Sequence, residues 1–244
     1  MNRDKKEIFS GARPASLGLF IEKEKILAIT DLHLGYEEML NAQGVFLPRT
    51  NFEKIRTALT EMLKELPKLD IIVILGDLKN EFGFISRQEW TEVIEMLQFL
   101  QKHCKKIVLI KGNHDKILGP LVKWEGLKIQ EEFYITKTGV LFLHGDKIPK
   151  SENFRKAKTV VIGHEHPAVS LREGIKSEMF KCFLNGKFKG KNLVVLPSID
   201  MASVGTNVLT QKLLSPFLQQ DLGKFECWLV EDRAYYFGKL NALA

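Results

Sequence analysis

Five of the six histidines in this chain stand just beyond the end of a short aliphatic run, within a few residues of Asp, Asn or Gly. The blocks, in chain order, are Asp31-Leu32-His33, Gly76-Asp77, Gly112-Asn113-His114-Asp115, His144-Gly145-Asp146 and Gly163-His164-Glu165-His166. The runs before them, Ile26–Thr30, Ile71–Leu75, Ile107–Ile110, Val140–Leu143 and Thr159–Ile162, are β-branched or aliphatic and read as buried strands, with Leu193–Leu196 as a further one. Packing alone does not explain why polar residues should gather at so many strand ends.

Amphipathic segments separate the first strands. Phe52, Ile55, Leu59, Met62, Leu63 and Leu66 recur at helical spacing after Thr50-Asn51 and stop at Pro67. A second helix opens on the capping-box pattern Ser86-x-x-Glu89 and crosses between the second and third strands. The first half is therefore strand–helix–strand–helix–strand. From Val140 strands outnumber helices, and Asn185-Gly186 predicts a hairpin turn between Lys181–Leu184 and Lys187–Lys191, so the sheet there is partly antiparallel. No repeat or linker divides the chain. The expectation is one α/β domain over residues 1–244, its motifs within about 26–210, with the first 25 residues and Asn241 to Ala244 as the less ordered ends.

A chain of 244 residues buries roughly 70–75% of its unfolded surface, so its core needs no structural metal. Any metal should serve function. The three cysteines, Cys104, Cys182 and Cys227, form no C-x-x-C pair, and Cys182 and Cys227 read as core. They point to a reducing, cytoplasmic compartment. The charged N-terminus precedes no secretory apolar stretch, and no run spans a bilayer, so no membrane is expected. The net charge of +6 permits a phosphate-bearing substrate without demanding nucleic acid.

At the carboxyl ends of neighbouring strands in an α/β sheet, side chains converge on one crevice. Asp-x-His and His-x-His would each present two side chains to it, because alternate residues of an extended segment share a face. Imidazole nitrogen with carboxylate and amide oxygen, and no thiolate, suits Mn²⁺, Fe, Zn²⁺, Ni²⁺ or Co²⁺. The groups outnumber the ligands of one ion. Taken singly, Gly76-Asp77 also reads as a turn or helix cap, and Gly112-Asn113-His114-Asp115 as a tight turn. The alternate histidines His164 and His166 are the hardest to read as structural.

At these residues the sequence resembles the calcineurin-like metallophosphoesterase superfamily, whose pattern is D-x-H, G-D, G-N-H-(D/E), H and G-H-x-H in that order. The resemblance spans about Ile26 to His166. Within it, the fragments from Asp31 to Glu37 and from Gly76 to Gly83 look like the archaeal and bacterial ICC-like phosphoesterases. Those are similar to the metallophosphoesterases found in association with DNA ligases. The resemblance implies a four-layer sandwich of two mixed β-sheets flanked by helices, with two divalent transition-metal ions, Mn²⁺ foremost, at the strand ends. By motif, Asp31, His33 and His166 would hold one ion, Asn113, His144 and His164 the other, and Asp77 would bridge them. Such a pair lowers the pKa of a shared water and neutralises phosphoryl charge. His114 would stabilise the phosphoryl group or protonate the leaving alkoxide, with Asp115 orienting its imidazole.

The implied activity is hydrolysis of phosphate esters, diesters foremost. A nuclease acting on single-stranded or end-exposed nucleic acid is the nearest variant, and a catalytically silent scaffold that binds a partner is the competitor. Retention of His114 argues against the scaffold. One departure stands out. Many members continue the second motif as G-D-x-x-D, whereas Lys79 and Asn80 follow here, leaving Glu81 or Glu37 as candidate substitutes and Asp146 as an ambiguous neighbour.

Weaker signals lie elsewhere. Lys181, Lys187, Lys189 and Lys191, interleaved with Phe183 and Phe188, fit either a basic rim for a polyanion or an edge hairpin with lysines outward and aromatics inward. The edge hairpin is the favoured reading. His103 reads as a helix-end residue, and the small, polar segment 197–207 as either a pocket-lining loop or a surface connection.

Overall fold

Strands whose successive residues are all apolar must be covered on both faces, and that requirement organises the architecture. The computed structural model describes residues 7–80, 86–118, 126–174 and 176–243. Among these residues the strands form two mixed sheets. The first is ordered β1 (Ala12–Ala15), β2 (Gly18–Ile21), β3 (Ile26–Ile29), β4 (Leu69–Ile74), β5 (Cys104–Ile110) and β6 (Leu127–Gln130). It is antiparallel from β1 to β3 and parallel from β3 to β6. Between β3 and β4 run α1 (Tyr36–Ala42) and α2 (Asn51–Lys64), and α3 (Arg87–Gln101) crosses from β4 to β5.

The second sheet holds β7 (Phe133–Ile135), β8 (Val140–Leu143), β9 (Thr159–Ile162), β10 (Pro167–Glu173), β11 (Lys176–Phe188), β12 (Lys191–Val195), β13 (Thr206–Asn207), β14 (Glu226–Val230) and β15 (Ala234–Lys239). Its β8, β9 and β12 are parallel neighbours, and α4 (Glu152–Lys156) links β8 to β9. Phe142, Val161, Phe183 and Val194 enter the core shared with the first sheet. Their neighbours Leu141, Val160, Cys182, Leu184 and Val195 point the other way, under Phe154 of α4 and Phe217, Leu222 and Phe225. The sandwich expected from the motifs is thus present, with its outermost layer built from one short helix and irregular chain rather than from long helices.

Local signals account for most elements. Ser86 Oγ accepts from Glu89 N at 3.0 Å and starts α3 as the capping pattern requires. The start of α2 is satisfied from α1 instead, where Glu37 Oε1 accepts from Thr50 N at 2.9 Å and Asn51 N at 3.0 Å. No helix among the described residues is long and apolar enough to cross a membrane.

Three expectations fail. Residues 12–21, read as part of an irregular end, form the β1–β2 hairpin, because Ala12, Leu19, Phe20 and Ile21 are buried on the first sheet. Asn185-Gly186 is not a turn. It lies inside β11, where a side chain on Gly186 would strike the Phe225 ring and where Asn185 Nδ2 donates to Ile8 O at 2.8 Å. The turn is Lys189-Gly190, both left-handed at φ 47° and 79°. Nor is β11 an edge, since it pairs with β10, β12 and β14.

Because Lys189 bears a left-handed strain that glycine does not, Lys189→Gly should raise stability by up to about 1 kcal/mol. Asn185→Gly should lower it by a similar amount. Denaturant unfolding reads both, and a gain from Asn185→Gly would contradict the placement of the turn.

Candidate metal centre

The carboxyl ends of β3, β4 and β5 in one sheet and of β8 and β9 in the other meet across the sandwich, and every motif block lies in the loop leaving one of them. Main-chain bonds fix these loops to one another. Asp31 N donates to Gly76 O (3.2 Å), His33 N to Asp77 O (3.0 Å) and Gly163 N to His144 O (2.8 Å). Between the sheets, His164 N donates to Asp31 Oδ2 at 2.9 Å, and the Thr30 hydroxyl donates to the same oxygen at 2.8 Å.

The paired residues are not presented by extended strand, as their alternate spacing suggested. Asp31, His33, Asp77, His164 and His166 all adopt left-handed backbone, with φ between 45° and 68°. Each such residue costs on the order of 1–3 kcal/mol and persists only where its surroundings dictate it. The glycines of the motifs have a related cause. A Cβ on Gly112 would collide with Asp77 Oδ1, and one on Gly163 with the Thr30 hydroxyl and Asp31 Oδ2.

Among the described residues, three groups of side chains stand close enough to hold a metal ion: Asp31, His33 and His166; His33, Asp77 and His114; and Asp77, His144 and His164. His33 Nε2 lies 3.3 Å from His166 Nε2, which is 3.4 Å from Asp31 Oδ1. Around His144 Nε2 stand Asn113 Oδ1 at 3.0 Å, His164 Nδ1 at 3.1 Å and Asp77 Oδ2 at 3.3 Å. All seven residues expected as ligands are therefore brought together. Asp31 Oδ1 is buried and accepts no hydrogen bond, a costly state that a cation would relieve. His144 Nδ1 faces Leu75 O at 2.7 Å, so the ring offers Nε2 to the centre.

Burial alone would raise the Asp31 carboxyl, but His166, His144 and His33 hold it well below its usual range. Burial likewise opposes protonation of His144, yet the Asp77 carboxylate, helped by Asp31, lifts it to about 10. Asp115 is pushed up to about 6 by burial and by the charge on Asp77.

The Asp115 carboxylate is engaged by main-chain amides: it accepts from Gly112 N at 3.1 Å and faces Leu78 N and Lys79 N at 3.4 Å, bracing the loops after β4 and β5. The acceptor at His114 Nδ1 is the main-chain carbonyl of Asn80. Glu37 caps α2 rather than supporting a ligand histidine, and Glu81 lies outside the described residues; burial and His144 lower the pKa of His164, with Asp146 among the carboxylates that oppose them.

The motifs did not reveal a supporting network. Asp200 N donates to Asp31 O at 3.0 Å, while Asp200 Oδ1 accepts from Asn51 Nδ2 at 2.8 Å. Lys181, largely buried, donates to Ser198 O at 2.9 Å, to Ser198 Oγ at 2.8 Å and to Asp200 O, and burial pushes its ammonium down to about 8. Segment 197–207 therefore backs the site instead of crossing an open surface. No local pattern marks this lysine: Lys181 has the phase of inward-pointing Phe183, but so does exposed Lys187 of the same strand.

A family model described as calcineurin-like phosphoesterase matches residues 24–196. No curated protein sequence matches the chain. Among solved structures, the nuclease MPE of Pseudomonas putida is similar at 17% identity and a TM-score of 0.63, covering 91% of this chain and 93% of that one. A predicted phosphoesterase of Streptococcus pneumoniae aligns at 14% identity over 88% and 93%, with a TM-score of 0.37. The first of these shares the fold.

A centre that keeps His144 protonated up to about 10 must expel protons to take a cation, so Mn²⁺ affinity should rise with pH between 6 and 9. Each proton released adds about tenfold per pH unit. Calorimetry in buffers of different ionisation enthalpy counts those protons. A pH-independent affinity would contradict this charge arrangement.

Proposed function

The chain belongs to the calcineurin-like phosphoesterase family, and from that premise we propose that it hydrolyses phosphodiesters at a centre of two divalent cations, manganese foremost. Asp31, His33 and His166 would hold one cation and Asn113, His144 and His164 the other, with Asp77 between them. The supporting observation is that Asp31, His33 and His166 stand close enough to hold one ion and Asp77, His144 and His164 another, with Asp31 Oδ1 buried and accepting no hydrogen bond. When bound, the cations supply Lewis acidity, drawing charge from the phosphoryl oxygens and lowering the pKa of water.

The chain's own residues supply position and a proton. In its protonated form, His114 donates from Nδ1 to Asn80 O, which leaves the proton on Nε2 directed toward the centre, 3.9 Å from Asp77 Oδ2. Water gives one proton to solvent, and as its oxygen bonds to phosphorus the bond from phosphorus to the leaving oxygen breaks and its electron pair stays on that oxygen. The Nε2 proton of His114 transfers there, the alcohol departs, and His114 afterwards regains a proton from solvent. Asp115 contributes by holding Gly112 and the loop after β4 in place.

Among diesters, nucleic acid is the substrate we favour. The Pseudomonas putida protein that shares this fold is a nuclease, and the net charge of +6 suits a polyanion. The unpaired Cys104, Cys182 and Cys227 are in keeping with a cytoplasmic protein.

The test is the Mn²⁺-loaded chain assayed against phosphodiesters, phosphomonoesters, cyclic nucleotides and single-stranded DNA. Diesters should be hydrolysed fastest. His114→Ala should lower turnover of a diester with an alcohol leaving group by about 10²–10⁴-fold at unchanged metal content, whereas Asp77→Ala should lose metal. Two bound equivalents of metal with no hydrolysis of any ester would favour the binding scaffold instead.

A further inference from the structure

Lys79 is only 1% exposed, two residues beyond Asp77, and the chemistry above leaves it without a task. An ammonium so placed is costly unless hydrogen bonds compensate it. Its Nζ donates to the main-chain carbonyl of His114 at 2.7 Å. The same loop holds His114 at two more points. Asp77 Oδ1 accepts from His114 N at 3.0 Å, and Asn80 O accepts from the ring at Nδ1.

The Asn80 carbonyl is itself held. Asn80 N donates to Glu89 Oε1 at 3.0 Å and to Leu34 O at 2.9 Å, while the Asn80 side chain turns away toward Met39 Sδ. The orienting group at the imidazole is therefore a main-chain oxygen, whose distance from the ring depends on how the loops after β4 and β5 are fastened together. Lys79 is a side-chain fastener between them, reaching from one loop to the backbone of His114 itself.

We propose that Lys79 is a positioning residue for His114: its ammonium fixes the His114 main chain so that Nδ1 stays on the Asn80 carbonyl and the Nε2 proton stays aimed at the leaving oxygen. This inference rests on the reading of His114 as proton donor. A poor leaving group, an alkoxide, needs that proton as its bond to phosphorus breaks. A good one, p-nitrophenolate, departs with the electron pair unprotonated. Loss of positioning should therefore appear as a difference between leaving groups, which general loosening of the loop would not produce.

The experiment compares Lys79→Met with the parent chain, both loaded with Mn²⁺. One substrate is bis(p-nitrophenyl) phosphate, and the other is the alcohol-leaving diester that the parent cleaves fastest. Turnover of the alcohol-leaving diester should fall on the order of 10–100-fold, with KM and metal content little changed. Turnover of the p-nitrophenyl diester should stay within about threefold. His114→Ala should show the same split at larger amplitude. Equal losses on both substrates, loss of metal, or no loss at all would overturn the proposal for Lys79. A His114→Ala variant that spares the alcohol-leaving diester would instead overturn the role of His114. Should Lys79→Met fail to fold, Lys79→Gln, which keeps a donor, carries the same test: the split should appear at smaller amplitude, and its absence would overturn the proposal.

Discussion

The Asp31 carboxylate joins the two sheets, and the geometry of the centre depends on that bond. Oδ2 takes the His164 amide from the second sheet and the Thr30 hydroxyl from the first, while the residue's own carbonyl receives Asp200 N. The hydrogen bonds that secure Asp31 use either its backbone or Oδ2, while Oδ1 faces only the histidine rings of the centre. What is left is Oδ1, buried, without a hydrogen bond, and turned toward His166. A residue serving only to join the sheets would have both oxygens satisfied.

The same conflict recurs around the centre. Five of the expected ligands sit in left-handed backbone, and imidazole nitrogens face one another at 3.1–3.3 Å, where a single proton must be shared or a cation inserted. Such groups would repel one another in an isolated loop. They are held by the parallel strands behind them, whose residues Ile29, Ile74, Ile110, Leu143 and Ile162 are almost wholly buried. Stability stored in the two cores thus offsets strain at the strand ends, and the offset makes the cluster receptive to positive charge.

How far the site could be read from sequence follows from the range of each interaction. The buried strands and the blocks after them were legible because burial on both faces leaves continuous aliphatic runs, and a polar residue ending such a run is conspicuous. The Ser86 cap was legible because both partners lie within four residues. Left-handed backbone at Asp31 or His166 was not, since no local pattern marks a non-glycine residue that distant chain forces into that conformation. Asn185-Gly186 misled for the converse reason: a strong local turn signal was overridden by the Phe225 ring and by pairing on both sides of β11. Lys181 lay hidden among other lysines, because exposed Lys187 has the same phase relative to Phe183 and only the long-range contacts of Lys181 with segment 197–207 set it apart. The group that faces the His114 imidazole is a main-chain carbonyl, which has no sequence signature.

Anomalous scattering from crystals grown with Mn²⁺ and recorded at the manganese edge tests the central claim directly. Two peaks are expected roughly 3.5–4 Å apart, one among Asp31, His33 and His166, the other among Asn113, His144 and His164, with Asp77 reaching both. A map without density between these side chains, or with the imidazoles turned away from one another, would contradict it.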